Sequence, residues 1–209
     1  MALIVHKYGG TSVGSVERIR NVARRLAKWH RAGHQLVVVV SAMSGETNRL
    51  IALAKEIQPS PDPRELDVVA STGEQVTIGL LAMALKDMGL KAKSYTGWQV
   101  HVLTDSAFTK ARIVEIDEKK IRADLAAGSI VVVAGFQGAD EFGIVTTPAR
   151  ARSPPSPLAP APPPPLWRPP AGKVKIFVGR GLTPRGFSTL TVRRTQNVRS
   201  ELRQVRRCL

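Results

Sequence analysis

Apolar positions in the first 147 residues fall into short unbroken runs separated by helical patterns. Residues 2–5 form a short apolar run that reads as a strand. After it, Val16, Ile19, Val22, Ala23, Leu26 and Ala27 recur at helical spacing, with Arg18, Arg20, Arg24, Arg25 and Lys28 largely on the other side. That basic side reads as a solvated helix face, and Gly33 is a natural stop. Residues 36–40 are a continuous run rich in valine, which fits a central strand covered on both faces. A loop rich in small and hydroxyl residues follows (41–48), then a helix carrying Leu50, Ile51, Leu53, Ala54 and Ile57. Prolines at 59, 61 and 63 break it.

Residues 64–88 read as one or two helices. Residues 91–95 and 112–116 read as short strands, and 117–127 as a helix ending at Gly128. Residues 130–134 are again unbroken and apolar, and 144–147 look like the opening of a hairpin return. Strands alternating with helices, several of them uniformly apolar, predict an α/β domain: a three-layer α/β/α sandwich on a mostly parallel sheet. In such sheets ligands bind beyond the carboxyl ends of the strands. Three glycine- or hydroxyl-rich loops fall there, at 7–12, 41–47 and 135–138.

The first of these, Lys7-Tyr8-Gly9-Gly10-Thr11-Ser12, suits phosphate. Glycine lets the backbone approach an anion, the next helix offers N–H groups, and lysine adds a point charge. It lacks the spacing of a Walker A loop. The convergence of the three loops points to a phosphorylated or small anionic ligand.

Charge and composition change the picture at Pro148. Of 15 prolines, 12 lie from Pro148 onward, and the 31 basic and 16 acidic residues divide as 18 and 15 before it, 13 and 1 after it. The net +15 therefore resolves into +3 for residues 1–147 and +12 for residues 148–209. The first part is long enough for one domain with a sizeable core. The lone Cys208 forms no internal disulfide, which fits a reducing compartment. His6, His30, His34 and His101 do not cluster at metal-ligand spacing, so no metal site is expected. With no signal-peptide pattern, and no apolar run approaching the roughly 20 residues a membrane helix needs, a cytoplasmic protein without membrane contact is expected.

With these loops in hand, the chain resembles the N-terminal part of the catalytic domain of aspartate kinase (aspartokinase), in the amino-acid kinase superfamily. The matching residues are Lys7 to Ser12, Val37-Val38-Val39-Val40-Ser41-Ala42-Met43, Ser71-Thr72-Gly73-Glu74, Tyr95-Thr96-Gly97, Ala111-Arg112-Ile113 and Val133-Ala134-Gly135-Phe136-Gln137-Gly138, in family order and spacing. The resemblance implies transfer of the ATP γ-phosphoryl group to the side-chain carboxylate of L-aspartate, the first step toward lysine, threonine and methionine. ATP would enter with Mg2+, and no cofactor would stay bound. An acceptor carboxylate is ionised at neutral pH, so no general base is needed and catalysis rests on positioning and charge neutralisation.

By resemblance, Lys7 is the catalytic electrostatic group, and Lys7, Tyr8, Gly9, Gly10 and Thr11 bind the ATP phosphates. Ser41, Thr47 and Glu74 bind aspartate, with Glu74 as partner of the α-ammonium. Without the resemblance, Glu74 reads as a helix-surface glutamate and Thr47 as a helix cap.

The chain departs from the family after Thr147. A Leu-Gly-Arg-Gly-Gly-Ser-Asp loop is expected, and Pro148-Ala149-Arg150-Ala151-Arg152-Ser153-Pro154 stands instead. The rest of the nucleotide site and the regulatory domains have no counterpart, so an inactive polypeptide with an uncovered sheet edge is expected. The family homo-oligomer is not expected to persist. Residues 154–170 cannot build a packed core and read as disordered or polyproline-like, and disorder is expected for 148–209 as a whole. Pro, Ala, Arg and Gly use codons with G or C in the first two positions, so a frameshift in a GC-rich gene near residue 148 accounts for that composition. The rival readings are another amino-acid kinase, acting on glutamate, carbamate or a nucleotide, or a non-catalytic protein whose basic tail binds nucleic acid or an SH3-like partner. The tail's aromatics are Trp167, Phe177 and Phe187, which offer little base stacking, so no specific nucleic acid is expected.

Overall fold

The first strand is longer than its apolar run: β1 covers Leu3–Tyr8 and carries Lys7 within the strand rather than in the turn. Side chains alternate along it, with Ile4, His6 and Tyr8 buried on one face and Leu3, Val5 and Lys7 half-buried on the other. The computed structural model describes residues 2–148 and, beyond them, the backbone of Val174–Gly179 and Phe187–Thr191.

Ser15 caps α1 (Val16–Arg31), its side chain accepting the Arg18 N–H at 3.3 Å, and Ile19, Val22, Ala23, Leu26 and Ala27 are buried. The helix stops before Gly33, whose φ of 82° is a backbone state that favours glycine. β2 (Gln35–Val40) follows, then α2 (Glu46–Ile57). Asp62 caps α3 (Pro63–Asp87) by accepting the Arg64 and Glu65 N–H groups at 2.9 and 3.2 Å, and Pro63 opens the helix, where its missing N–H costs nothing. The 64–88 region is thus one helix of 25 residues. β3 (Ala92–Tyr95), β4 (Val102–Thr104), β5 (Ile113–Ile116), α4 (Lys119–Ala126), β6 (Ile130–Ala134), β7 (Gly138–Ala139) and β8 (Val145–Thr146) complete residues 2–148, and β9 (Val174–Gly179) and β10 (Phe187–Thr191) lie beyond.

The main sheet runs β10-β9-β1-β2-β6-β3, parallel throughout except for β10, and a smaller sheet runs β5-β4-β7-β8. On one face Ile4, Leu36, Val38, Ile130 and Val132 pack against Ile19 and Leu26 of α1 and Ile78, Leu81 and Leu85 of α3. On the other, Val131 and Val133 pack with Tyr95, Val102 and Leu125 of α4. Both faces of β6 are therefore covered, and all five of its residues are buried. Helices flank both faces, as the apolar runs predict.

Four expectations change. By length and composition α3 is apolar enough to cross a membrane, against the sequence reading. It is instead a core helix, with Asp67, Ser71 and Glu74 on its buried side. Residues 144–147 close a hairpin rather than open one, because β8 pairs antiparallel with β7. The edge of β1 opposite β2 is covered by β9, in register from Leu3 opposite Val174 to Tyr8 opposite Gly179. Val174–Gly179 and Phe187–Thr191 are extended and paired rather than disordered, and both are proline-free and rich in β-branched and aromatic residues. For the remainder of 148–209, the expectation of disorder lies outside the described residues.

Candidate active site

Because β1, β2, β6 and β3 run parallel, the loops leaving their carboxyl ends meet at one end of the sheet. Backbone bonds join them: the Ser41 N–H donates to the Tyr8 carbonyl at 3.2 Å, and the Gly135 N–H to the Val40 carbonyl at 3.0 Å. Gly10 is demanded by the protein itself, since a Cβ there would stand 2.8 Å from the Ala42 carbonyl oxygen. A Cβ at Gly9 would meet nothing within 4 Å among the described residues. Within the turn, the Ser12 and Val13 N–H groups donate to the Gly9 and Gly10 carbonyls. Arg18, read from sequence as part of a solvated face, donates from Nη1 to the Thr11 carbonyl at 2.5 Å and holds the turn against α1.

The polar side of α3 organises the other loops. Asp67, Ser71 and Glu74 lie four and three residues apart, on one face of the helix, and all are buried. Glu74 is 2% exposed and accepts the Phe136 N–H on Oε2 at 2.8 Å. Gln137 gives its Nε2–H to the Ser71 carbonyl at 3.1 Å, and its amide also supports the Glu74 charge. Burial outweighs these donors and the Lys7 charge, and pushes the Glu74 carboxyl up to about 7. Asp67 accepts the Thr109 N–H at 2.8 Å, the Thr147 N–H at 2.9 Å and the Thr147 hydroxyl at 2.5 Å. Residue 97 must be glycine, since a Cβ there would lie 1.8 Å from the Gln137 carbonyl oxygen.

The sequence-derived residues sort clearly. Lys7 and Glu74 come close enough for the lysine charge to act on the carboxyl. Ser41 is half-buried directly after β2. Thr47 is half-buried in the first turn of α2, whose cap is Gly45 at φ 83°, so Thr47 is not the cap that its residue type suggests. Neither is Glu74 a surface glutamate. Tyr8 differs from expectation: its ring points into the core, stacked on His6 with centroids 5.9 Å apart, and burial raises its hydroxyl to about 12. Only its backbone faces the turn, because the strand continues through it. Thr11 is exposed beside Gly10. Asp67, Gln137 and Thr147 were not singled out from sequence as site residues.

The model of the amino acid kinase family matches residues 2–150. The chain belongs to the amino acid kinase family. Within that family, an aspartate kinase of Pseudomonas putida is 65% identical over 153 residues, covering 73% of this chain and 37% of that protein. The crystal structure of aspartate kinase from Synechocystis superposes with a TM-score of 0.61 at 44% identity, over 71% of this chain and 24% of that one. E. coli aspartokinase III, solved with aspartate and ADP, shares the fold with a TM-score of 0.62 at 22% identity, over 71% of this chain and 44% of that one. The chain thus spans 37% of the length of the P. putida relative. Its three-layer architecture is that of an amino acid kinase family catalytic domain.

Proposed function

We propose that residues 2–148 form the amino-acid- and phosphate-binding half of an aspartate kinase catalytic domain, whose reaction moves the γ-phosphoryl group of ATP to the side-chain carboxylate of L-aspartate. The observation that carries this reading is the buried Glu74 carboxyl beside Lys7, under loops that gather at the strand ends. A buried carboxyl is costly unless a cation meets it, and the α-ammonium of an amino acid is such a cation. Its arrival favours the charged carboxylate and displaces the proton that burial retains. Lys7 and the backbone of the Gly9-Gly10 turn suit the phosphates, which arrive with their Mg2+. Ser41 and Thr47 border the same loops and supply hydroxyls for the substrate.

The same reading holds that the chain of 209 residues does not complete the reaction, since residues 148–154 lack the three glycines and the aspartate of the family loop and keep only Arg150 and Ser153. A hydroxylamine-trapping assay tests both halves. Purified 1–209 is expected to give no ATP-dependent aspartyl hydroxamate. A chimera joining residues 1–147 to the rest of the P. putida aspartate kinase is expected to give it, and to lose about a hundredfold or more on Lys7→Ala. A folded chimera without activity, or one indifferent to Lys7, contradicts the reading.

A further inference from the structure

The mechanism above uses Glu74 as the ammonium partner and leaves one buried group beside it unused. Gln137 is 2% exposed, and its Nε2 is committed to the Ser71 carbonyl at 3.1 Å. The Glu74 carboxylate faces the same amide. Two acceptors at one end settle which end is nitrogen, because the flipped amide would set oxygen against both. The other end, Oε1, is buried and meets no donor among the described residues. The residue cannot withdraw easily, since the Gly97 backbone lies against its main-chain carbonyl. A buried acceptor without a donor is unfavourable, and such atoms are paired in the great majority of cases.

We infer that Gln137 Oε1 is a second acceptor for the substrate α-ammonium, and that Gln137 and Glu74 together select an amino dicarboxylate over a plain one. An ammonium carries three N–H donors, enough for both oxygens. Glu74 Oε2 already accepts from Phe136, so the pair offers the other Glu74 oxygen and Gln137 Oε1. A dicarboxylate without the amine leaves both acceptors unpaired, and a site built to hydrogen-bond a group rejects analogues lacking it. Gln137 is in this sense a specificity residue. The inference rests on the function proposed above.

The test is calorimetric titration of the full 209-residue chain with L-aspartate and, separately, with succinate. The wild-type chain is expected to prefer L-aspartate. Gln137→Met, of similar length with neither amide group, is expected to lose about tenfold in aspartate affinity and leave succinate unchanged, which collapses the preference. If the methionine variant does not fold, the side-chain amide resonances of wild-type Gln137 serve: L-aspartate is expected to shift them and succinate to leave them, and equal shifts with both ligands overturn the inference. Equal weakening of both ligands by Gln137→Met, or no change in either, overturns the inference alone. Absence of aspartate binding by the wild-type chain overturns the proposed function and this inference with it.

Discussion

Phe136 donates its main-chain N–H to Glu74 Oε2 at 2.8 Å, and so ties the loop after β6 to the middle of α3. The bond does not restore an ordinary acidity. Burial dominates and holds the carboxyl at about 7, against an ordinary value of 4.5. Between those values the unfolded chain has lost its proton and the folded chain keeps it. Folding stability from this group is therefore full below pH 4.5 and falls as pH rises to about 7, by at most about 3 kcal/mol. Urea unfolding of wild type and Glu74→Gln across this range checks it. The variant is expected to lack that decline.

His6 gives the opposite sign. Burial, reinforced by the Arg25 charge, lowers its imidazole to about 4 from 6.5. The folded chain resists a proton that the unfolded chain accepts, so stability is present above pH 6.5 and is lost as pH falls toward 4. The loss is again about 3 kcal/mol at most. His6→Phe keeps a ring against Tyr8 and is expected to remove the acid-side decline in thermal melts, while leaving the Glu74-linked decline in place.

Asp67 anchors the chain just before residue 148. Asp67→Ala would strand the Thr109 N–H, the Thr147 N–H and the Thr147 hydroxyl. A loss of about 2–4 kcal/mol is expected, with faster hydrogen exchange at both amides. Asp67→Asn keeps one acceptor oxygen and should fall between. Unchanged exchange at Thr147 would show that the strand end is held by other means, such as the Thr104–Thr146 hydroxyl pair at 2.5 Å.

Two glycines should respond in opposite directions. Gly97→Ala drives a methyl to within 1.8 Å of a backbone oxygen and is expected to cost more than about 3 kcal/mol. Gly79→Ala, within α3 and with nothing within 4 Å of the new Cβ, is expected to add up to about 1 kcal/mol. Denaturant midpoints of the two variants check the contrast.

The parallel core was legible because its chemistry is local. Val37 to Val40 and Ile130 to Ala134 are short, unbroken, valine-rich runs, which fit strands covered on both faces. Of the smaller sheet, β5 was legible as the strand at 112–116 and β8 lay in the hairpin read at 144–147, but β7 with two residues and β4 with three are too short for any period to show. In the site, the glycine-rich turns announced themselves through residue type. Tyr8 misled, because its place in a turn-like motif hid its place in a strand. Gln137 and Asp67 act through partners 66 and 80 residues away, and no local pattern carries that information.

The Lys7–Glu74 corner is expected to receive an amino acid carrying a carboxylate side chain. The most direct test is an amide NMR titration of the 209-residue chain with L-aspartate. Saturable shifts of the Phe136 amide and of the amides of residues 9–11 are expected, strongly reduced in Glu74→Gln. Saturable L-aspartate binding that leaves Phe136 unmoved, or that persists unchanged in Glu74→Gln, would contradict it.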